Sequence, residues 1–549
     1  MMLRACLAGG LWLLASMVSA SPKAPAIASA HPLATQAGLE VLHKGGNAFD
    51  AAVAISAALA VVEPHGSGLG GGGFYLARKA ANDYVFIDAR ERAPLRATPE
   101  LYLQGKTFSR ERAINGPAAA AIPGVPAALA HLGSQYGKLA LSDSLAPAIR
   151  YARDGFKVDR VYRERASFRL EALQQDDQSA RLFLADNQVP ELGHVIKQPE
   201  LANTLELLAQ SGHSGFYAGS FAEQLVSAVN RAGGVWSMED LASYQIVERA
   251  PLVVPLNQHT LITAPPPSAG GIALAQSLKL LQTLPWQKAE RMTRVHLVSE
   301  VLRRVYRDRT LLGDPDFVEN PVEQLLSDAH LATLKESISL DRATPSADLG
   351  PVPHFTEGDH TTHFTVLDTQ GLAVSATLSI NLPFGAAFTV PNTGLLLNNE
   401  MDDFALDTLG QNHYELVASD ANALASGKRP LSSMTPSFME SDTELASFGT
   451  PGGSRIPSMV LLAVLEYLEQ KPISDWVATP RFHHQFLPDR IEAAPHTFNV
   501  REIETLKTLG HEVSVLNRDY GNQQVVYWDK KTGAVQAASD PRGIGQSVP

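Results

Sequence analysis

The sequence predicts an α+β protein whose helices dominate the first two thirds of the chain and whose short strands dominate the last third. Three observations carry this. Residues 34–62 and 124–234 read as helix-rich, with apolar positions at helical spacing. From residue 361 onward, "HFTVLD", "LAVSATLSI", "GLLLN" and "ELASFG" are short alternating or apolar runs, the texture of strands. Between the two regions, residues 340–358 are rich in Pro, Asp and Thr and lack apolar periodicity, which marks a loop.

With 549 residues, 45% of them hydrophobic and 19% charged, the chain can bury a sizeable core as two domains or one large layered domain. The net charge is -12 and no run of Lys and Arg could neutralise a row of phosphates, so nucleic acid is not an expected partner. Residues 1–20 read as a secretory signal: Arg4 supplies the charge, an apolar run follows, and Val18-Ser19-Ala20 suits signal peptidase. The only cysteine, Cys6, lies inside that signal. The mature chain would then hold no disulfide and no membrane span, and its place would be the periplasm or the outside of the cell.

In chain order, the first helix covers residues 34–43 and stops at Gly45-Gly46. Asn47 is placed to cap an Ala-rich second helix over residues 48–62. "GSGLGGGGFYLA" contains G-x-G-x-x-G at Gly66, Gly68 and Gly71, but a helix precedes it and a strand follows, the reverse of a dinucleotide fingerprint. It reads as a tight turn bringing helix and strand close. "YVFIDARERAP" is a strand ending in charges, and "LSDSLAPAIRYARDG" is a helix capped near Ser142 and ended by Gly155. "APPPSAGG" breaks the chain before a further helix.

"DHTTHFTVLD" begins the strand-rich part. Residues 363–367, the turn "DTQG" and residues 372–380 make a β-hairpin. With the turn centred between Thr369 and Gln370, Thr361 faces position 378, and Ser379 and Asn381 fall beside it. If the chain were cut before Thr361, the new α-amine, with a pKa near about 7.7 to 8.0, could take the proton of the Thr361 hydroxyl. A Thr-rich strand with no chemistry is the plain alternative. His360 and His363 point to opposite faces of an extended strand, so no metal is expected there.

Three later stretches carry chemistry-bearing groups. "NNEMDDF" packs Glu400, Asp402 and Asp403 into four residues, a solvated loop or an ammonium site. "KRPLSSMTPS" offers Ser432 and Ser433. "GTPGGSR" offers the consecutive amides of Gly452 and Gly453, a turn or an oxyanion hole.

Taken in order, "TTHFTVLD", "NNEMDDF", "KRPLSSMTPS" and "GTPGGSR" resemble the small subunit of the gamma-glutamyltranspeptidase family. The resemblance extends through "HPLATQAGLEVLHKGGNAFDAAVA", "VVEPHGSGLGGGGF", "DARERAP", "DLASYQ", "APPPSAGG", "PRFHHQ" and "ASDPRG". It implies a four-layer αββα sandwich of the N-terminal-nucleophile hydrolase type, made as one precursor that cuts itself between His360 and Thr361. The parts would be a signal (residues 1–20), a large subunit (21–360) and a small catalytic subunit (361–549), held as a heterodimer.

The resemblance further implies that Thr361 takes a γ-glutamyl group from glutathione or a related compound and passes it to water, an amino acid or a peptide, without a cofactor. Gly452 and Gly453 match the oxyanion-hole pair, and Arg90 the holder of the donor α-carboxylate, assisted by Ser432 and Ser433. Asn381, Glu400 and Asp403 match the holders of the α-ammonium. Ser379 stands where the family usually has a second, assisting threonine. Residues 405–422, with Tyr414, match a lid loop in length and position. Within the same fold a cephalosporin or glutaryl acylase is the rival reading, and a binding protein without turnover is the other.

Overall fold

The computed structural model describes residues 20–105, 107–350, 361–406 and 419–549. The stretch ahead of Ala20 expected to be a signal, His360 and Tyr414 therefore lie outside the described residues. Two antiparallel sheets stack face to face. The strands, in chain order, are β1 (Ala26–Ser29), β2 (Gly72–Ala80), β3 (Asp83–Ala89), β4 (Val247–Arg249), β5 (Leu252–Leu256), β6 (His259–Thr263), β7 (Thr361–Leu367), β8 (Ala373–Ser379), β9 (Ser437–Glu440), β10 (Glu444–Gly449), β11 (Gln524–Asp529), β12 (Val535–Ser539) and β13 (Gln546–Val548). The first sheet runs β13-β1-β7-β8-β2-β3-β4 and the second β12-β11-β10-β9-β6-β5.

Helices cover both outer faces. Over the first sheet lie α1 (Pro32–His43), α2 (Ala48–Val62), α3 (Leu141–Asp154) and α4 (Pro199–Tyr217). Over the second lie α5 (Gly270–Gln282), α6 (Arg291–Asp308), α7 (Ile456–Leu468) and α8 (Ile473–Ala478). The period-2 alternation of strands divides the core accordingly. Tyr75, Ala77, Phe364, Val366, Val374 and Ala376 join the helical cluster around α2, whereas Phe74, Leu76, Leu367 and Ala373 join Phe438, Phe448 and Val525 between the sheets. This is the four-layer αββα sandwich.

The Asn47 cap forms as expected. Its side chain accepts from Phe49 and Asp50 N-H, and Asp50 accepts from the Asn47 N-H in return. All fifteen residues of α2 are buried, so its small alanines let the sheet and the neighbouring helices close on it. Asp50 is tolerated there because Lys138 and Leu139 N-H also donate to it, at 2.8 and 3.2 Å. Two helix starts differ from the sequence reading. The first helix begins at Pro32, behind a His31 cap, and α3 begins at Leu141 after Ala140, with no side-chain cap, so Ser142 lies inside its first turn. Gly155, at φ 92°, ends α3 as expected.

The hairpin shows the one shift that bears on the site. Thr361 pairs with Ser379, and Leu367 with Ala373, one residue from the register expected. The cause is Gly371, which takes φ 81° and makes the loop three residues long (369–371) instead of two. The glycine turn ahead of β2 lets backbones meet: a Cβ on Gly70 would stand 2.0 Å from Leu396 O, and one on Gly71 2.1 Å from Ser379 O. Gly71→Ala must therefore push β8 away from the turn. We expect a loss of about 2 to 3 kcal/mol in stability, measured by chemical denaturation; an unchanged midpoint would contradict so close an approach.

Candidate functional site

Strand β7 settles which threonine faces which layer. Its odd-numbered members, Thr361, His363 and Thr365, turn toward the second sheet, where Thr365 Oγ1 donates to Ser447 Oγ at 2.7 Å. Thr362 turns toward the helices and donates to Glu63 Oε2 at 2.7 Å. Thr361, at the strand's open end, is half-buried, and its Oγ1 accepts from Gly452 N-H at 3.2 Å. Ser379 stands directly opposite on the same face, and its Oγ accepts from Asn381 N-H at 2.8 Å. The sequence-predicted hydroxyl pair is thus brought together, with Ser379 in the position assigned to residue 378.

Gly452 and Gly453 take φ values of 139° and 54°, and a Cβ on Gly452 would stand 2.5 Å from Met459 Cε. Both lie in the left-handed region that favours glycine, and at Gly452 the space as well as the φ excludes a side chain. The turn continues without interruption into α7, so these amides sit at the N-terminal, partially positive end of a buried helix. Strand β10 feeds the turn from the other side, and its last residue, Gly449, leaves room for the buried His363 ring, which would lie 2.1 Å from any Cβ there. Burial holds the His363 imidazole down to about 3, so it is neutral, and its Nδ1 shares a 2.9 Å hydrogen bond with Thr377 Oγ1.

Arg90 lies at the end of β3, buried, with its guanidinium aimed at the segment after β8. Nη2 donates to Asp403 Oδ2 at 2.5 Å, Nη1 lies 3.0 Å from Glu400 Oε2, and Nε donates to Pro430 O at 3.2 Å. Burial opposes the charge, but Glu400, Asp403 and Glu91 outweigh it and raise the Arg90 pKa, so the guanidinium stays ionised. Burial and the nearby Glu400 push Glu91 well above its ordinary range. Glu400 Oε1 and Asn381 Oδ1 are buried acceptors with no hydrogen-bond donor among the described residues, whereas Glu400 Oε2 has its ion-pair partner in Arg90 Nη1 at 3.0 Å. Asn381, at φ 71°, is tied to the same segment through its Nδ2, which donates to Asn399 O at 2.9 Å.

The motifs around these residues position them. Tyr244 of "DLASYQ" donates to Arg90 O at 2.8 Å. In "APPPSAGG", Pro267 O accepts from Ser432 N-H at 2.9 Å. Ser432 Oγ accepts from Met434 N-H at 3.1 Å, and Ser433 Oγ from Arg309 Nε at 3.3 Å. Asn422, at the far end of the expected lid segment, donates to Asp403 O at 2.7 Å and accepts from Leu431 N-H at 2.9 Å, linking that segment to the Ser432 loop. Asp402, grouped with the other two acids by sequence, instead faces Arg110 at 3.3 Å, and burial raises it to about 6.

Sequence reasoning missed Glu63 and Gly66, treating their motif only as a turn. Glu63 holds Thr362, and a Cβ on Gly66 would stand 3.4 Å from Thr361 O. Their adjacency to the Thr361 peptide comes from the pairing of β7 with distant strands, which no local pattern signals. Among the described residues, His296, Glu300 and His511 form the group with metal-ligand spacing. Their atoms already have partners: His296 Nδ1 and His511 Nε2 share a 2.8 Å hydrogen bond with each other, and Glu300 is paired with Arg303 and Arg304 at 3.2 and 2.8 Å. Two guanidiniums on the only carboxylate oppose a further cation.

Comparison with known proteins gives a consistent family. The model of the gamma-glutamyltranspeptidase family matches residues 34–549. A glutathione hydrolase proenzyme of Escherichia coli (strain K12) is 36% identical over 533 residues, covering 94% of this chain and 90% of the relative. One from Pseudomonas aeruginosa is 37% identical over 541 residues, covering 95% and 93%. Among solved structures, a cephalosporin acylase from Bacillus halodurans superposes with a TM-score of 0.84 at 27% identity, covering 96% of each chain. Helicobacter pylori gamma-glutamyltranspeptidase gives a TM-score of 0.57 at 34% identity, covering 59% of this chain and 94% of that one.

Glu63 has a consequence measurable without substrate. Burial raises its pKa from 4.5 to about 7, against the lowering effect of the Thr362 hydrogen bond. The folded state therefore binds the extra proton between those two values, and the stability due to this group is greatest below 4.5 and falls as pH rises to about 7. Glu63→Gln should flatten that part of the stability-against-pH curve, measured by denaturation from pH 4 to pH 8. A variant with the wild-type slope would show that Glu63 is not the titrating group.

Proposed function

The chain belongs to the gamma-glutamyltranspeptidase family, and from that premise we propose that Thr361 is the nucleophile that takes a γ-glutamyl group from glutathione or a related compound. The ester so formed passes its acyl group to water or to the amine of an amino acid or peptide. The first event is self-cleavage. Thr361 Oγ attacks the carbonyl of residue 360, the peptide becomes an ester, and water hydrolyses it, which frees the α-amine of Thr361. That amine accepts the hydroxyl proton when Thr361 attacks a donor and returns it to the leaving amine. Gly452 and Gly453 N-H stabilise the oxyanion of each tetrahedral state, and Ser379 orients the Thr361 hydroxyl.

The observation that carries the donor assignment is the charge pattern around Arg90. A γ-glutamyl head presents a carboxylate and an ammonium on one carbon. A guanidinium grips the first through two bonds, aided by Ser432 and Ser433. An ammonium brings three N-H donors, and beside Arg90 the buried Glu400 Oε1 and Asn381 Oδ1 are acceptors that lack them. Asp403 completes the anionic side. On this reading residues 21–360 and 361–549 are the two subunits of a heterodimer. The apolar leader supports export to the periplasm or beyond, and no helix among the described residues is long and apolar enough to cross a membrane.

Thr361→Ala should leave one uncut, inactive chain, because the same hydroxyl serves both steps. Gel electrophoresis with N-terminal sequencing checks this in a single experiment: the wild type should give a small subunit starting at Thr361, and two subunits from the variant would move the nucleophile elsewhere.

The structural likeness to a cephalosporin acylase makes a glutaryl-type acyl chain the competing donor. Such a chain lacks the ammonium and would leave Glu400 Oε1 and Asn381 Oδ1 without donors. The missing charged contact costs on the order of 1.5 to 3 kcal/mol, roughly tenfold to more than a hundredfold in kcat/KM. Wild-type enzyme should therefore prefer a γ-glutamyl anilide over a glutaryl anilide by that margin, and Glu400→Gln should lose most of the preference by failing on the γ-glutamyl compound. Equal wild-type rates would favour the acylase.

A further inference from the structure

At the opposite end of β10 and α7 from the Gly452-Gly453 turn lies a cavity of about 560 Å³. It opens where the helical layer stops short of the second sheet, between the ends of α5 and α7, the start of α8 and the turn joining β5 to β6. Glu444, the first residue of β10, is the single carboxylate among the described lining residues. Three donors fix it: His259 Nε2, Tyr467 OH and Tyr527 OH, each at 2.8 Å. The hydrogen bond from His259, then those from Tyr527 and Tyr467, hold its carboxyl at about 2 against the effect of burial. It is a permanent anion at neutral pH.

The remaining wall mixes leucine and glutamine side chains with the rings of Trp286, Tyr467, Trp476 and Tyr527. Tyr467 and Trp476 stand at 80° with centroids 5.2 Å apart, and Trp476 and Tyr527 at 84° with centroids 5.9 Å apart. In each pair the edge of one ring meets the face of the other, which fixes the three rings in place. The cationic Lys471 on the rim is already paired with Glu466 and Glu469, at 2.6 and 3.0 Å. A preoriented carboxylate in a cavity lined by aromatic and leucine side chains suits a cation with an apolar body.

We propose that this cavity binds a small organic ammonium ion, its charge at Glu444 and its body against Trp476 and Tyr527, and that occupancy is transmitted to the Gly452-Gly453 turn. The route is covalent and short. β10 runs from Glu444 to Gly449, on the order of 17 Å, and α7 returns over about 18 Å, so the strand entering the turn and the helix leaving it meet at the cavity through the Glu444–Tyr467 bond. The transmission arm rests on the proposed role of Gly452 and Gly453; the binding arm does not.

Benzyltrimethylammonium chloride is the probe, since a quaternary amine cannot act as an acyl acceptor. Titrated into the processed wild-type enzyme and followed by tryptophan fluorescence and calorimetry, it should bind saturably, while phenylacetate and benzyl alcohol, of similar size, should bind at least about tenfold more weakly. Glu444→Gln, checked for normal unfolding temperature, and Trp476→Leu should each weaken the probe by a similar factor. Saturating probe should change kcat for γ-glutamyl anilide hydrolysis while leaving donor KM in place. No saturable binding, equal binding of the three compounds, or competition with the donor would overturn the site; binding without any change in kcat would overturn the transmission alone.

Discussion

The register of the β7–β8 hairpin is the constraint on which the site depends. Because side chains alternate across a strand, the loop that joins these two decides whether Thr361 or Thr362 faces the second sheet. Gly371, in the left-handed region, makes that loop three residues long and places Thr361 opposite Ser379, with Gly452 N-H in reach. A two-residue loop would shift the pairing by one position and set Thr361 against Leu378, whose side chain belongs to the core around α2. The amide turn, the small hydroxyl opposite and the polar face between the sheets all have meaning only in this register.

The second constraint is charge. Arg90, Glu91, Glu400 and Asp403 are buried together, and such a cluster persists only when each charge has a partner, since removing one from a buried pair typically costs about 3 to 5 kcal/mol. The fold answers by closing distant segments on one guanidinium: the residues just past β3 supply Arg90 and Glu91, the short helical turn Glu400–Asp403 supplies Glu400 and Asp403, and the Ser432 loop supplies the Pro430 carbonyl. With more carboxylates than cations, the cluster stays tolerable because Glu91 is pushed toward its protonated form. That excess of acceptors is what the proposed ammonium would meet.

How much of this was legible in the sequence follows from the range of each interaction. The Asn47 capping box, the Gly155 stop and the helix-to-strand glycine turn are local, and each is found where the sequence puts it. The nearness of Ser379 and Asn381 to Thr361 was legible for the same reason, although the loop length, and so the register, was misjudged by one. What the residues alone did not reveal is long-range. Arg90 meets Asp403 across 313 positions, and Thr362 meets Glu63 across 299. No periodicity encodes such pairings, and the sequence signalled Arg90 only through a resemblance of motifs. The separation of Asp402 from its neighbours is of the same kind, since its side-chain direction depends on the short helical turn Glu400–Asp403 and on Arg110.

The topology bears on the proposed cut as well. β7 lies between β1 and β8, β8 in turn pairs with β2, and β13 closes the edge on β1. In the second sheet β6 pairs with β9. Every one of these ladders except β7–β8 joins a strand that precedes residue 361 to one that follows it. A break before Thr361 therefore severs no ladder within either sheet, and the two pieces stay interlocked through both sheets and the core between them. The reaction needs only to free one backbone amine at the open end of a strand whose neighbours already fix it. The proposed N-terminal nucleophile would thus arise at a position already fixed by its neighbours, with the Gly452 amide 3.2 Å from Thr361 Oγ1. Preorganisation of this sort is what makes oxyanion stabilisation effective, because the donors need no reordering when charge develops.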